Sequence, residues 1–225
     1  MNGQGRALTR VQVWDGPVRL VHWLVALAIP ALWWTAGHDQ LEWHRRIGYV
    51  VLALVLFRLA WGFVGGSTAR FASFVRGPKA VIAYARQLAR GEPAAVVGHN
   101  PMGGWSVVAL IALVLAETAL GLFAVDVDGL ESGPLSRFVD FDGGRLAAHW
   151  HHWLFNALLA LVGLHLAAVA FYAVVKRDNL VAPMLTGTRT APEGAPALAR
   201  APLWRALAAA GLAAAVAVWI ARGLR

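Results

Sequence analysis

Four long apolar stretches run through the chain, and polar segments separate them. They cover about 17–36, 43–64, 102–125 and 147–176. A helix needs about 20 apolar residues to cross the hydrocarbon core of a bilayer, which is about 30 Å thick. Each stretch reaches that length with few charged residues. The pattern therefore predicts an all-α integral membrane protein in which four spanning helices form a bundle.

Residues 203–222 are apolar and long enough for a fifth, C-terminal membrane helix, although they are rich in alanine, and a helix on the membrane surface is the alternative. The preceding stretch 191–202, rich in proline and alanine, is predicted to be a linker. Residues 78–90 are too short to span, and their mixed basic and apolar positions predict a helix lying on the membrane surface. We therefore expect a membrane domain over 1–190, followed by the linker and the fifth helix over 191–225.

Composition agrees with a membrane protein. The chain has 225 residues, of which 59% are hydrophobic and 14% charged, and an ordinary soluble domain has about 25% charged residues. It contains no cysteine, which excludes disulfides, iron–sulfur clusters and covalent c-type haem attachment. Histidine is therefore the main candidate for binding a metal or a cofactor.

The net charge of +8 could suggest nucleic acid, but the basic residues lie in loops beside apolar spans, so we predict membrane lipid and no nucleic acid as a partner. With alternating spans, segments 1–19, 65–101 and 176–202 share one side of the membrane. They contain twelve of the twenty Lys and Arg residues: Arg6, Arg10, Arg19, Arg70, Arg76, Lys79, Arg86, Arg90, Lys176, Arg177, Arg189 and Arg200. By the positive-inside rule, the N-terminus is cytoplasmic.

Four histidines fall inside the predicted spans at two matched depths. His22 and His165 lie towards the cytoplasmic side, and His44 and His151 towards the outer side. His151 and His165 are fourteen residues apart, so on one helix they lie within about 40° of a common face and about 21 Å apart along the axis. Ionisable residues in a membrane usually mark a functional site. This arrangement suits the ligands of two stacked haems.

Other interpretations of the histidines are open at this stage. His149 and His152 lie about 160° and 140° from the face of His165, and with His38 they are expected to form hydrogen bonds or to sit at the interface. A different class of protein, a His-lined membrane transporter or metal-binding protein, would gather its ligands at one depth near the midplane. The two depths favour the haem interpretation.

Several motifs carry a family resemblance. They are VWDGPVRLVHW at 13–23, HRRIG at 44–48, FRLAWGFVG at 57–65, GHNPMGG at 98–104, and the pair of histidines with thirteen residues between them in the fourth span. Over about residues 11–190 the chain resembles the bacterial cytochrome b561 family. That family includes the b-type cytochrome subunits of nickel–iron hydrogenases and is similar to the gamma subunits of formate dehydrogenases.

The resemblance implies a four-helix bundle in the bacterial inner membrane that holds two non-covalent b haems. His22 and His165 would be the axial ligands of the cytoplasmic haem, and His44 and His151 those of the outer haem. The adjacent His149 and His152 leave the identity of the outer ligand open.

The implied function is electron transfer across the membrane between the quinone/quinol pool and a redox partner, either a hydrogenase or dehydrogenase or a soluble cytochrome c. An enzymatic alternative is superoxide oxidation with quinone as the acceptor. It would need a positively charged funnel at the outer side, for which Arg45, Arg46, Arg137 and Arg145 are available.

Four more residues are candidates for the site. Arg19 and Arg58 could neutralise a propionate of the inner haem, or they could extend to the membrane interface. His99 could contact quinone or donate a proton, or it could be a loop residue beside the helix cap Asn100. Glu117, a carboxylate within the third span, is predicted to be a proton relay or a hydrogen-bond partner beside a haem. The sequence names no partner for it.

Overall fold

The computed structural model describes residues 7–91, 98–128, 131–195 and 197–225, so Arg6, one of the counted basic residues, lies outside it. In this part of the chain, five helices are long and apolar enough to cross a membrane. They are α1 (Gly16–Gly37), α2 (Leu41–Val64), α5 (Pro101–Phe123), α6 (Phe141–Val174) and α8 (Leu203–Ala221). The predicted all-α membrane fold with a fifth C-terminal helix is confirmed.

One helix begins well before its predicted span. The fourth span was expected from residue 147, where the apolar residues begin, but α6 starts at Phe141. Asp140 provides the reason, because its Oδ1 accepts the backbone N–H of Gly143 at 2.8 Å and so caps the first turn. The helix therefore includes a polar first turn that hydrophobicity alone assigns to the loop.

Shorter elements lie between the long helices. They are α3 (Phe71–Phe74), α4 (Pro78–Ala89), a 3-10 turn (Ser136–Phe138), α7 (Val181–Thr186) and the strands β1 (Leu8–Gln12) and β2 (Thr188–Pro192). The helix α4 agrees with the helix predicted over 78–90. The strands pair antiparallel, with Leu8 opposite Pro192 and Gln12 opposite Thr188. This pairing joins segments about 180 residues apart, and the sequence pattern does not predict it.

By the density of their contacts, the residues form two compact units. The first contains residues up to Leu20 together with Ala60–Ala109 and His165–Ala206. Its small core consists of the buried side chains of Val11, Val13, Trp14 and Ala191. The backbone N–H groups of Val13 and Trp14 both donate to the carbonyl of Gly187, at 2.8 and 3.1 Å. These bonds fix the start of α1 beside the end of α7.

The second unit contains Val21–Leu59, Leu110–Leu164 and Leu207–Arg225. One core cluster joins three helices through Val51 and Val55 of α2, Val114 of α5 and Leu158 of α6. A second cluster packs α8 onto the same unit through Leu52, Leu122, Leu135 and Ala217. The alanine content of α8 now has a structural reason. Ala209, Ala213 and Ala217, four residues apart, are its buried face, and small residues let helices approach closely in membranes.

The stretch predicted to be a linker is held in place by hydrogen bonds. Its backbone N–H at Leu198 donates to the carbonyl of Gln12 at 2.9 Å. Ala199 exchanges two bonds with Ser67, whose backbone N–H donates to the Ala199 carbonyl while its hydroxyl accepts the Ala199 N–H, each at 2.9 Å. Residues 197–202 are therefore a fixed strap across the first unit, and we call them the strap below.

Candidate functional site

Two of the predicted ligands come together in the second unit. His44 lies in the first turn of α2 and His151 in the third turn of α6. Their ring centroids are 6.0 Å apart, with an angle of 83° between the ring planes. The two helices therefore bring their imidazoles to one place, as the matched depths of these residues predicted.

Both rings are fixed through the same nitrogen atom. The Nδ1–H of His44 donates to the backbone carbonyl of Leu32 at 3.0 Å, and the Nδ1–H of His151 donates to the carbonyl of Glu117 at 2.9 Å. A carbonyl can only accept, so Nδ1 carries the proton in each ring and Nε2 keeps its lone pair. Histidines that bind metals are generally oriented by such a bond from the other nitrogen.

Glu117 supplies a second contact to His151. Its carboxylate Oε1 lies 3.3 Å from Nδ1 of that ring, so the backbone and the side chain of one residue both face the same N–H. The residue is only 9% exposed, and its Oε2 is buried without a hydrogen-bond partner among the described residues. The sequence could not identify this partner, since the pairing of α5 with α6 is a tertiary contact.

Gly121 makes room for the same imidazole. It lies one turn after Glu117 on α5, and a Cβ built there would be 3.1 Å from Cε1 and 3.4 Å from Nδ1 of His151. That distance is shorter than an ordinary van der Waals contact, so any side chain would push against the ring. The wall of α5 beside His151 therefore combines one hydrogen-bonding residue and one residue without a side chain.

The neighbouring histidines are arranged differently. His149 and His152 are both exposed, and the ring of His149 packs at the edges of Trp150 and Trp153. His38 donates from Nδ1 to the carbonyl of Trp34 at 2.8 Å and stacks on the indole of that residue. Among the histidines predicted to lie towards the outer side, His44 and His151 are the two whose rings meet, and they do so edge-on.

The pair has the spacing that one iron requires. Imidazole nitrogens coordinate first-row metals at about 2.0–2.1 Å, so ligands on opposite sides of one iron have nitrogens about 4 Å apart and ring centres about 6 Å apart. The 6.0 Å between the centroids of His44 and His151 agrees with that spacing. The protonation at Nδ1 also leaves Nε2 available for coordination, so these residues fit a haem with two histidine ligands.

The second predicted pair is divided between the units. His22, in the second unit, is half-buried and meets the ring of Trp23 edge-on at 5.0 Å. His165, in the first unit, is half-buried on α6. Their pairing stays a prediction from the sequence.

The two candidate arginines differ in their surroundings. Nη1 of Arg19 donates to the carbonyl of Leu185, and its guanidinium packs beside Gly187, where a Cβ would be 3.3 Å from Cζ. The Nε of Arg19 is buried without an acceptor in the part of the chain that the structure describes. Arg58 of α2 is buried at 6% exposure. Arg58 is therefore a buried cation, and Arg19 is a half-buried one.

His99 lies between two aromatic rings in the first unit. Its ring centroid is 4.5 Å from that of Trp14 and 4.6 Å from that of Phe74. The adjacent Asn100 caps α5, as predicted, because its Oδ1 accepts the backbone N–H of Gly103 at 2.7 Å. The aromatic contacts are those of a packed side chain, and the role of His99 towards quinone stays a prediction.

The four arginines predicted to lie on the outer side are occupied by neighbouring groups. Arg45 forms an ion pair with Glu131, and Arg46 pairs with Glu42 one turn away on α2. The other two donate to backbone carbonyls, Arg137 to Gly223 and Arg145 to Val125. A funnel that attracts superoxide would have to be built from arginines that already have these partners.

Comparisons with known proteins identify the family of this chain. The family model for prokaryotic cytochrome b561 matches residues 13–187. A protein of Azotobacter chroococcum is 26% identical over 219 residues, covering 82% of this chain and 90% of its own length. One of Bradyrhizobium diazoefficiens is 25% identical over 211 residues, covering 80% and 85%. Both carry the name "Probable Ni/Fe-hydrogenase B-type cytochrome subunit".

A protein of Cupriavidus necator with the same name is 26% identical over 218 residues, which covers 83% of this chain and 89% of that protein. No solved structure matches the chain significantly. The family match extends over more than three quarters of the chain and includes all four paired histidines. The chain therefore belongs to the prokaryotic cytochrome b561 family, the membrane-embedded b-type cytochromes of electron transport.

Proposed function

We propose that the protein is a di-haem b-type cytochrome that carries electrons across the bacterial inner membrane, from a hydrogenase-type redox partner to the quinone pool. The observation that carries the proposal is the His44–His151 pair, with ring centroids 6.0 Å apart. A haem iron with both axial positions filled by imidazole supplies one-electron transfer and has no open position for a small ligand.

The residues around the pair would hold the outer haem in a fixed orientation. The carbonyls of Leu32 and Glu117 keep the proton of each ring on Nδ1, and Oε1 of the Glu117 side chain lies 3.3 Å from Nδ1 of His151. Such outer contacts raise the basicity of a histidine ligand. Gly121 keeps α5 from displacing the ring. His151 is preferred over His149 and His152 because both neighbours are exposed.

We assign the inner haem to His22 and His165 from the sequence. His165 lies on the same continuous helix as His151, fourteen residues later, which corresponds to about 21 Å along the axis. Two haem sites at that spacing would form a path through most of a bilayer about 30 Å thick. The half-buried guanidinium of Arg19 and the buried guanidinium of Arg58 would neutralise haem propionates.

The names of the relatives, which describe subunits of Ni/Fe hydrogenases, support a redox partner of that kind. A partner of that kind would deliver electrons at the outer side, and an exchangeable quinone would take them at the cytoplasmic side. The basic residues of the predicted cytoplasmic segments support this orientation by the positive-inside rule.

Proteoliposomes test the proposed path directly. The haem-loaded protein is placed in vesicles that enclose ferricyanide, and dithionite is added outside. We expect ferricyanide loss well above that of protein-free vesicles, and we expect His151→Ala to abolish the excess while His152→Ala keeps it. Equal rates with and without the wild-type protein, despite bound haem, would contradict electron transfer across the membrane.

A further inference from the structure

A cavity of about 340 Å³ lies in the first unit, between the start of α1, Trp61 of α2, the strap and the start of α8. Its volume falls within the range of small-molecule sites, about 300–1,000 Å³. Four of its lining residues, Arg200, Ala201, Leu203 and Ala206, lie beyond the family match, which ends at residue 187. The cavity therefore depends on the part of this chain that the family motifs do not cover.

One wall of the cavity is a fixed aromatic ring. Trp61 is buried at 2% exposure, and its indole N–H donates to Oδ2 of Asp15 at 2.9 Å. The other oxygen of Asp15 accepts the backbone N–H of Val18 at 2.8 Å and so caps α1. Because both carboxylate oxygens are used, Asp15 serves to hold the indole in place, and the buried Trp61 forms a fixed part of the lining.

Arg200 and Gln12 form the polar part of the cavity lining. The strap that carries Arg200 is held by hydrogen bonds from Leu198 to Gln12 and between Ala199 and Ser67. The guanidinium donates from Nε to Oε1 of Gln12 at 3.0 Å, and its Nη2 donates to the same oxygen. The side chain is exposed and has further N–H groups, while the Gln12 amide has two of its own. The site is thus preformed and rich in donors.

The apolar part of the lining includes the start of α8. Leu203 lines the cavity, as does Ala206, and the exposed fraction of Leu203 is 72%. In a helix long enough to cross the membrane, such a side chain faces lipid. A ligand with an apolar tail could therefore leave its tail in the bilayer and its polar end beside Arg200.

We propose that this cavity binds the head group of the membrane quinone, an inference that rests on the proposed function. The two oxygens of a quinone ring accept hydrogen bonds of the kind that Arg200 and Gln12 donate, and the tail of a quinone is apolar. Pro17 at the cavity lies five residues before His22 on α1, about 7.5 Å along the helix axis. The quinone takes two electrons, one at a time, from the reduced cytochrome and two protons from water to become quinol.

A bulky residue in the cavity tests the proposal. The full-length, haem-loaded protein is reduced with dithionite, freed of excess reductant and mixed with a short-chain ubiquinone or menaquinone while haem re-oxidation is followed. We expect Ala206→Phe to slow re-oxidation about tenfold at limiting quinone, with unchanged haem content and spectrum. Ala208→Phe is the control, because Ala208 is exposed on the same helix outside the cavity.

A milder pair of variants covers the case in which Ala206→Phe does not fold. Arg200→Met should raise the quinone concentration for half-maximal re-oxidation about tenfold. Arg205 is an exposed arginine in the first turn of α8 that stacks on Trp204. Arg205→Met should leave that quinone concentration unchanged. Wild-type rates of re-oxidation in both Ala206→Phe and Arg200→Met would overturn the proposal. A cavity that holds only a phospholipid head group would give this result. If neither quinone re-oxidises the bound haems of the wild-type protein, the proposed function itself is contradicted.

Discussion

The histidines of this chain fall into two kinds of surroundings, and the difference lies in what each ring contacts. The ring centroids of His44 and His151 are 6.0 Å apart, and a backbone carbonyl holds Nδ1 in each. His99 instead lies between the rings of Trp14 and Phe74, at 4.5 and 4.6 Å. The first arrangement leaves Nε2 available as a ligand, and the second uses the faces of the ring for packing. A histidine in a membrane helix or beside one is therefore not by itself a haem ligand.

Removing one ligand from each predicted pair should have the largest effect. We expect the double variant His44→Ala with His165→Ala to be colourless, because each haem then has one axial ligand, while each single variant keeps about one haem of two. Haem is measured per chain as the pyridine haemochrome. A double variant that keeps a haem would mean that at least one pair is assigned incorrectly.

Filling the space at Gly121 should act on one pair only. In Gly121→Val, the new side chain meets the ring of His151, since Cβ alone would be 3.1 Å from it. We expect outer-haem binding to weaken about tenfold or more, as for other changes next to a metal ligand. Gly211→Val is a matched control, because Gly211 on α8 has nothing within 4 Å of its Cβ position. Equal haem content in the two variants would show that the ring has room to move.

A smaller change should follow from Glu117→Gln. The amide is a weaker acceptor than the carboxylate for Nδ1–H of His151, so the ligand becomes less basic and the ferric state less favoured. A tenfold change in relative affinity corresponds to about 60 mV, so we expect the midpoint potential of one haem to rise by about that amount. Glu42→Gln removes a carboxylate at an exposed ion pair and should leave both potentials nearly unchanged. A potential that falls in Glu117→Gln would contradict this role.

The smallest effect is expected at His99. Phenylalanine can keep the aromatic contacts with Trp14 and Phe74, so His99→Phe should have wild-type haem content and wild-type thermal stability in detergent. His99→Ala should lose about 1–3 kcal/mol of stability, because it leaves a gap between the two rings. If His99→Phe slows re-oxidation by quinone while its stability is unchanged, the ring has the proton or quinone role that the sequence allowed.

Much of the fold could be predicted from the sequence, since long apolar runs dictate spanning helices. All five predicted spans correspond to helices, and the early start of α6 needed only the Asp140 cap. The pairing of β1 with β2 and the fixed strap could not be predicted. Both depend on hydrogen bonds between segments about 180 residues apart, such as the bond from the Leu198 N–H to the Gln12 carbonyl. A proline- and alanine-rich composition does not indicate such contacts.

In the candidate site too, local features could be predicted from the sequence and tertiary contacts could not. The depths of His44 and His151 follow from their places in the spans, and the structure brings these two rings together. The contact of Glu117 with His151 and the space left by Gly121 both depend on how α5 faces α6. The sequence singled out Glu117 as a buried acid in a span but gave no means of choosing its partner.

The assignment of His151 is the central claim, and haem quantitation with reduced-minus-oxidised spectra tests it most directly. The wild type, His151→Ala and the adjacent control His152→Ala are purified from membranes and compared per chain. We predict about two b haems in the wild type and in His152→Ala, and about one in His151→Ala. Two haems in His151→Ala, or the loss of one in His152→Ala, would contradict the account.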